Sequence, residues 1–304
     1  MRYPNTLSKP ALIKAADYIY DCGRDIDIAL YEFYFKRAHP SKVINELIKY
    51  VNPDGGFGKG LELDFMYTGS TPLSTTIALN IIRQLHIYSN NHLTFDALEY
   101  LSNTRNYKNG WSCITKEVNN YPRAMWWDYK PILKETYTLN PTAEIIGYFY
   151  VFGGGVYRNI VHDMLETCYA YLRNPANGNE MHEMISLMKM TRMLPSSLRN
   201  RFARFLRSRL NNTLCFDTSK YNTYVFTPLH VFESQNDPLY DIFRNQVEEN
   251  LDYLIETQKP DGSWQVTWNW HRDEYIFDKQ LPKISAHITL ENIIKLKSFS
   301  RISF

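Results

Sequence analysis

The sequence contains little cysteine and no cluster of metal-ligand residues. Its four cysteines lie far apart, without a C-x-x-C pair and without histidines at ligand spacing. A disulfide framework needs cysteines that can pair, and a structural zinc site needs closely spaced Cys or His ligands. The sequence therefore predicts neither a disulfide-stabilised scaffold nor a metal site, and we expect no cofactor.

Long apolar runs and an excess of one charge sign are also missing. Residues 1–5 carry no apolar core of a signal peptide, and no apolar run is long enough to cross a bilayer. The formal net charge of +2 gives no general electrostatic case for nucleic acid binding. We therefore expect a cytoplasmic protein that binds no nucleic acid. Peripheral membrane contact and the oligomeric state stay open.

Aromatic residues, by contrast, are abundant and recur in a repeated turn. Asn52–Gly58 reads NPDGGFG, Lys259–Trp264 reads KPDGSW, and residues 107–111 between them read YKNGW. Each copy places Asp-Gly or Asn-Gly before a large aromatic residue. The first two copies are roughly fifty residues apart, and the third follows after about three more such steps. A period of this size predicts about six repeated units in the chain.

Two kinds of helix are predicted between these turns. One kind is amphipathic, as in residues 247–255, and needs only one side covered. The other is apolar nearly all round, as in residues 72–82, with Thr71 as the N-cap. Residues 140–147 are predicted to open in the same way, and residues 285–290 more loosely. These apolar helices are expected to be buried on most sides.

The alternation of half-buried and buried helices predicts an all-α fold. We expect about six helical hairpins that close into an (α/α)6 barrel, or toroid, as a single domain over residues 1–304. Glycine supplies the positive φ that the turns need, and the aromatic residue fills the gap between hairpins. The irregular stretches at roughly 104–139 and 258–283 are predicted to be loops at one mouth of the barrel.

Two carboxylates follow the first turn and are predicted to be catalytic. Glu62 and Asp64 lie two residues apart, which puts them on one side of an extended segment. Neighbouring carboxylates can have separated pKa values, so that one keeps its proton and acts as a general acid. The alternative is a solvated pair, or carboxylates that cap a helix or stabilise a turn.

Two aromatic groups are predicted to contact substrate. Trp268 and Trp270 follow the third turn and would point to one side of an extended loop. Trp126, Trp127 and Asp128 lie in the longest predicted loop. Indole faces attract a carbocation through cation–π interaction, or stack on a sugar or lipid ring. The alternative for both groups is packing within the repeat or within a lid.

Three further residues complete the predicted substrate-binding set. Trp111 is the aromatic residue of the second turn. Glu144 lies near the start of an inner helix, where a carboxylate also interacts favourably with the helix dipole. His287 lies near the start of a buried helix, and its alternative is a hydrogen-bonded core histidine.

The residues around the first and third turns resemble those of a known family. Lys259–Trp264, preceded by Gln258, looks like the Gln-Trp repeat of squalene–hopene cyclases and protein prenyltransferase β-subunits. More closely, the chain resembles single-barrel bacterial proteins described as prenyltransferase-like or squalene-cyclase-like. The stretches that carry this resemblance are 54–64, 140–145, 261–270 and 289–292. The resemblance implies the terpenoid cyclase/protein prenyltransferase toroid and extends over most of the chain.

The catalytic motifs of this family are missing. Class II terpene cyclases protonate their substrate with Asp-x-Asp-Asp, and Asp25-Ile26-Asp27-Ile28 lacks the final Asp. The Asp-Asp-x-x-Asp of metal-dependent isoprenoid synthases is absent. Cys215-Phe216-Asp217 reverses the Asp-x-Cys pair that holds zinc in protein prenyltransferases. The Cys-His zinc cluster of lanthionine cyclases is missing as well. The resemblance therefore implies the fold more strongly than the reaction.

Together these features predict an enzyme of the terpene cyclase/prenyltransferase-like superfamily. It would bind a hydrophobic, isoprenoid-like substrate in a central aromatic-lined cavity and use acid catalysis. Two alternatives stay open: a carbohydrate-active α/α-barrel glycosidase or lyase, and a barrel that only binds a ligand. A closed apolar pocket would favour the first function, and a wide polar pocket the second. Glu62 and Asp64 exposed to bulk solvent would favour the third.

Overall fold

The computed structural model describes residues 5–87, 92–106, 108, 110–134 and 136–304. Within these residues the secondary structure is eleven α-helices and short 3₁₀ turns, and β-structure is limited to isolated bridges. The all-α prediction is therefore confirmed. The helices are α1 (Lys9–Cys22), α2 (Asp25–Lys36), α3 (Pro40–Leu47), α4 (Pro72–Gln84), α5 (His92–Thr104), α6 (Thr142–Phe152), α7 (Arg158–Leu172), α8 (Met181–Met193), α9 (Ser196–Thr213), α10 (Tyr240–Glu256) and α11 (Glu274–Ser298).

The chain divides into two compact units. Unit 1 comprises Met1–Leu47 and Leu214–Phe304, and unit 2 comprises Ile48–Thr213. In unit 1, α11 packs against α1 and α2, and α2 packs against α3. In unit 2, α6 packs against α7 and α8, and α4 packs against α5. The single domain over residues 1–304 stays a prediction.

Helix α6 is the clearest of the helices that were predicted to be buried all round. Every residue from Thr142 to Phe149 is buried. Its glycine brings it close to α8, because a Cβ at Gly147 would overlap the Met193 side chain and crowd the Met190 backbone. Helix α10 is amphipathic as predicted, with Val247, Leu251 and Leu254 on its buried face.

The predicted start of α4 is confirmed, whereas that of α6 is wrong. The Thr71 hydroxyl accepts the Ser74 N–H at 3.0 Å and caps α4. Asn140 does not cap α6, which begins only at Thr142. The cap comes instead from the neighbouring helix α8, where Ser186 Oγ accepts the Glu144 N–H at 2.9 Å. This contact joins residues far apart in sequence, so the local pattern could not show it.

Helix α11 also begins earlier than predicted. Residues 274–283 were expected to belong to a loop, but the helix starts at Glu274 and continues through Pro282. Glu, Lys, Gln and Leu in this stretch are good helix formers. A proline removes one N–H donor and crowds one carbonyl. Helix α11 nevertheless continues past Pro282, and it packs against α1 and α2.

The three copies of the repeated turn share one backbone pattern. In each copy an N–H donates to the carbonyl four residues later at 2.9 Å: Asn52 to Gly56, Asn106 to Gly110, and Lys259 to Ser263. The predicted positive φ is confirmed at Gly55 (+82°) and Gly262 (+91°). In the second copy Gly110 has the positive φ (+74°), one position later in the turn. Tyr107 and Asn109 of this copy lie outside the described residues.

The aspartate and the aromatic residue of the turn have structural roles. Asp54 accepts the Gly56 N–H at 3.1 Å, and Asp261 accepts the Ser263 N–H at 3.0 Å. In the last two copies the indole N–H donates to a carbonyl ten residues upstream: Trp111 to Leu101 at 2.7 Å, and Trp264 to Leu254 at 2.8 Å. The repeated turn therefore builds the architecture and supplies no reactive group.

Candidate functional site

A cavity of about 240 Å³ lies in unit 2, within the irregular stretch between α5 and α6. Four apolar or weakly polar side chains line it, together with three hydroxyl side chains and one amide. The lining residues are Ser112, Cys113, Ile114, Trp126, Trp127, Thr136, Thr138 and Asn140. None of these described lining residues carries a charge at neutral pH.

The two indoles of the longest loop both line this cavity. The Trp126 side chain is 43% exposed, whereas Trp127 is half-buried. The Trp127 ring meets the edge of Phe65 in a T-shaped contact, with centroids 6.1 Å apart. Phe65 belongs to a small apolar cluster with Ile114, which lines the cavity, and Val118. Aromatic pairs of this kind fix the orientation of a ring. Substrate contact by Trp126 and Trp127 stays a prediction.

The Trp127 indole carries an unusual polar atom. Its Nε1 is buried and has no hydrogen-bond partner among the described residues. Buried donors are almost always paired, because an unmet donor keeps the full cost of leaving water. Within the described part of the chain, this N–H is therefore an exception to the usual pairing of buried donors.

The two predicted catalytic carboxylates lie beside the loop that carries the indoles. The segment at Asp64 runs antiparallel to the loop, since the Ala124 N–H donates to the Asp64 carbonyl at 2.8 Å. Glu62 and Asp64 are both half-buried. Glu62 Oε1 accepts the Asp64 backbone N–H at 3.1 Å. Glu62 thus makes a turn-stabilising contact, and the catalytic roles of both residues stay predictions.

The Cys113 thiol of the cavity wall has a raised pKa. Burial raises the pKa of Cys113, and the negative charges of Glu144 and Glu62 raise it further, with a smaller contribution from Glu180. The thiol also donates to the Asn140 carbonyl at 3.6 Å. Cys113 is therefore a neutral thiol in the cavity wall and a poor nucleophile.

Glu144 is buried in the first turn of α6 and forms an ion pair. Its Oε2 lies 2.8 Å from Lys189 Nζ of α8, and the residue is only 4% exposed. Glu144 is not one of the cavity-lining residues, although its charge reaches Cys113. Its predicted contact with substrate stays a prediction.

Asp128 holds the shape of the loop. It accepts two hydrogen bonds from Arg123, at 2.9 Å from Nε and 2.6 Å from Nη2. The same guanidinium donates to the carbonyls of Asn119 and Tyr121. This places Asp128 in a structural network, and it is absent from the residues that line the cavity.

Glu183 of α8 positions the cavity wall and was missed by sequence reasoning. It is 7% exposed, and its Oε1 accepts from the Thr138 hydroxyl at 3.1 Å and the Leu139 N–H at 2.9 Å. The Tyr171 hydroxyl donates to the same oxygen at 3.0 Å. The sequence shows only a carboxylate within a methionine-rich segment. This pattern indicates a buried acid but does not identify its hydrogen-bond partners.

Trp111 packs within the repeat. It is 2% exposed, its Nε1 is bonded to Leu101, and its ring stacks on Phe149 with centroids 6.0 Å apart. It does not line the cavity of about 240 Å³. Its predicted contact with substrate is not supported by these contacts.

The other predicted aromatic pair belongs to unit 1. Trp270 is fully buried against Phe277, with ring centroids 5.9 Å apart. Trp268 is half-buried and meets Tyr224 edge-on at 6.2 Å. The two indoles therefore differ in exposure, and their predicted contact with substrate stays a prediction.

His287 also lies in unit 1, within an ionic cluster. Its Nδ1 is 2.9 Å from Asp27 Oδ1, and Arg24 Nε is 2.8 Å from Asp27 Oδ2. Its Nε2 lies 3.8 Å from Glu291. Burial lowers the pKa of His287, but the hydrogen bond and charge of Asp27 outweigh it and leave the pKa raised. Burial would raise the pKa of Asp27, yet Arg24 and His287 hold it far below its usual range.

Neither a metal site nor a membrane span is found in the described part of the chain. Those residues contain no group of three His, Cys, Asp or Glu that could hold a metal ion. No described helix is both long enough and apolar enough to cross a membrane.

Comparisons with known proteins show the class of fold. No family model and no curated protein matches the sequence. Solved structures of the type II terpene cyclase MstE from Scytonema do match. The unliganded enzyme has a TM-score of 0.52 and 11% identity, over 95% of this chain and 98% of that one.

Two substituted variants of MstE match equally well. The complex with geranylgeranyl dihydroxybenzoate, its substrate, has a TM-score of 0.52 and 10% identity. The complex with merosterolic acid A, its product, has a TM-score of 0.54 and 12% identity. Both matches cover 95% of this chain and 97% of the other. This chain therefore has the α/α toroid fold of terpenoid cyclases, and the fold prediction is confirmed.

Proposed function

We propose that this protein is an enzyme that binds a hydrophobic, isoprenoid-like substrate and rearranges it by acid catalysis. The observation that carries the proposal is the cavity lined by Trp126 and Trp127, beside the carboxylates Glu62 and Asp64. Support comes from the fold, since MstE binds geranylgeranyl dihydroxybenzoate as substrate. The volume of about 240 Å³ is below the range usual for drug-sized ligands. It therefore suits a short prenyl chain, or one part of a longer chain.

The proposed chemistry begins with a proton transfer. Glu62 or Asp64, holding its proton, gives it to one carbon of an alkene, and the π electrons form the new C–H bond. The cation left on the other carbon is attacked by a second alkene and closes a ring. A base then removes a proton, so the product is an isomer of the substrate. Indole faces at Trp126 and Trp127 stabilise the cation, by about 0.5–2 kcal/mol each.

The cavity gives less support to a carbohydrate-active enzyme. Glycosidases place two carboxyl groups on either side of the scissile bond. Of the described residues that line this cavity, none is a carboxylate. The same observation favours a second candidate function, a barrel that binds an isoprenoid without converting it. In that case Glu62 serves only the turn contact with Asp64.

Turnover in deuterated water tests the proposal. The protein is incubated in D₂O with geranylgeraniol and with geranylgeranyl dihydroxybenzoate, and the products are separated and weighed by mass spectrometry. Acid catalysis predicts an isomer that carries deuterium from the catalytic acid. Glu62→Gln or Asp64→Asn should lower its rate about 10²-fold or more. The control Glu99→Gln, an exposed carboxylate of α5, should leave the rate unchanged.

The other outcomes separate the candidates. An isoprenoid that is retained but never converted would support the binding function and contradict catalysis. If neither compound is retained or converted, the isoprenoid proposal is wrong. A product without deuterium would exclude the acid step.

A further inference from the structure

We propose that the outer face of α9 docks this protein on a membrane that contains anionic phospholipids. The face consists of exposed side chains spaced three or four residues apart along the helix: Ser197, Asn200, Arg204, Arg207 and Asn211. We call these five residues the α9 face. None of them lines the cavity, so this inference goes beyond the proposed function and does not depend on it.

Positive charge is concentrated around the α9 face. Helix α9 contains five arginines and neither Asp nor Glu over 18 residues. The neighbouring helix α7 adds one arginine and two carboxylates, Asp163 and Glu166. Six positive charges therefore stand against two negative ones in this helix pair, whereas the whole chain has a net charge of only +2. Such a local excess of charge attracts an anionic surface.

Two exposed arginines of α9 have no carboxylate partner in the described part of the chain. Arg201 is paired with Glu166 at 2.6 Å, and the buried Arg209 donates to backbone carbonyls. Arg204 and Arg207 are exposed, and no described carboxylate forms an ion pair with either of them. Their charges are therefore available to a partner outside the chain.

Arg204 is held in a position from which it can bind phosphate. Its Nη2 donates to the Tyr169 hydroxyl at 2.8 Å, and its guanidinium lies 4.6 Å from the centroid of the Phe205 ring. A guanidinium has five N–H donors, so several stay available for an outside acceptor. Because the group is already ordered, it loses little freedom when it binds a phosphate oxygen. Ser197 and Asn200 add further donors on the same face.

An apolar side chain near the start of α9 favours a membrane over a nucleic acid. Helices α7 and α9 run in the same direction, since Glu166 bonds to Arg201 and, one turn further along both helices, Tyr169 bonds to Arg204. The turn before α7 therefore lies near the start of α9. In this turn Val156 is 79% exposed. A lipid surface accepts cations among its headgroups and apolar side chains beneath them, whereas duplex DNA presents charged phosphates to both.

Vesicle binding by the unmodified protein tests the proposal. The protein is sedimented with vesicles of phosphatidylcholine alone, and with vesicles that contain about 30 mol% phosphatidylglycerol. One arginine near an anionic surface changes the binding constant on the order of fivefold. We therefore expect binding to the anionic vesicles to be at least about tenfold stronger. Raising the NaCl concentration from about 50 to about 500 mM should remove most of this difference.

Matched double variants locate the surface. Arg204→Gln with Arg207→Gln should weaken binding to the anionic vesicles about tenfold or more. Lys9→Gln with Lys283→Gln removes the same charge from two exposed lysines of unit 1 and should leave binding nearly unchanged. Arg204→Lys with Arg207→Lys keeps the charge and should keep most of the binding. Far-UV circular dichroism checks that each variant is folded. The comparison of the two vesicle types needs no variant, so it decides the question even if one does not fold.

Three outcomes would overturn the inference, and none of them touches the proposed function. Equal binding to both vesicle types, or binding to neither, would show that anionic lipid is not the partner. Equal losses in the arginine and the lysine variants would show that binding follows net charge and not the α9 face. A duplex DNA that is bound through Arg204 and Arg207, with no binding to the vesicles, would assign the face to nucleic acid instead.

Discussion

At the scale of single residues, the environment of each side chain decides its role, and tryptophan shows this most clearly. Trp111 and Trp264 both follow the repeated turn and both bond to a carbonyl ten residues upstream. The N–H groups of both indoles are therefore hydrogen-bonded within the repeat. Trp127 lies in a loop that lacks this geometry, and its Nε1 is buried without a partner among the described residues. The same residue type therefore has its N–H group paired in one environment and unpaired, among the described residues, in another.

The His287 cluster predicts a pH dependence of stability. A histidine with a raised pKa contributes its full stabilisation below the unfolded value of about 6.5, and loses it as pH rises through the folded value. We therefore expect the free energy of unfolding to fall as pH increases above about 6.5. Urea unfolding across pH 6 to 9 measures it.

The groups around His287 define the control for this prediction. Asp27 faces it from α2, Arg24 faces it from the position just before α2, and Glu291 lies on its own helix. His287→Asn removes the titrating group, so the decline above about pH 6.5 should be lost. Asp27 acts in the opposite sense, because its lowered pKa makes its contribution disappear only at acid pH. A decline that persists in His287→Asn would contradict this assignment.

At the scale of elements, α8 holds in place the cavity-lining segment that precedes α6. Ser186 caps α6, and Glu183 holds the segment with Thr138 through hydrogen bonds to a side chain and to the backbone. Two residues of one helix thus position a wall that is more than forty residues away in sequence. The cavity depends on this contact as well as on its own lining.

Glu183 is therefore predicted to matter for stability and binding together. Glu183→Ala leaves the Leu139 N–H, the Thr138 hydroxyl and the Tyr171 hydroxyl without their acceptor. We expect a loss of about 2–4 kcal/mol in unfolding free energy and weaker binding of geraniol. Chemical denaturation and equilibrium dialysis measure the two effects. The control Glu166→Ala removes the exposed partner of Arg201 and should change neither measurably. Full affinity in Glu183→Ala would contradict the positioning role.

The repeated turn gives a second prediction at this scale. Gly262 has φ +91°, and a Cβ there would overlap the Lys14 backbone. Gly60 has a similar φ of +81°, but a Cβ there meets open space. Alanine at Gly60 should cost only the backbone strain, about 1–2 kcal/mol. Gly262→Ala should lower the free energy of unfolding by clearly more, because the Lys14 backbone must also move. Equal melting temperatures in the two variants would show that the close approach at Gly262 is unimportant.

At the scale of the whole molecule, the local signals in the sequence predicted more of the fold than of the site. The repeated turns, the buried helix at α6 and the Thr71 cap are local patterns, and each could be read from neighbouring residues. Loop indoles at Trp126 and Trp127 could be proposed for the same reason. The roles of Ser186 and Glu183 could not, because the Glu144 and Leu139 N–H groups that they accept lie more than forty residues away.

A pairing between Leu7 and Arg301 illustrates the same limit. In unit 1 the Leu7 N–H donates to the Arg301 carbonyl at 2.8 Å, and the Ser303 N–H donates to the Leu7 carbonyl at 2.9 Å. Arg301 is 2% exposed and reaches Glu248 at 2.7 Å. Leu7 thus pairs with residues 301–303, a contact that no periodicity in the sequence predicts.

The most direct measurement is a crystal structure of the protein with geraniol bound. The proposed function predicts that the prenyl chain lies in the cavity between residues 112 and 140, in contact with Trp126 and Trp127. An empty cavity with geraniol bound elsewhere, under conditions where dialysis shows it bound, would contradict the account.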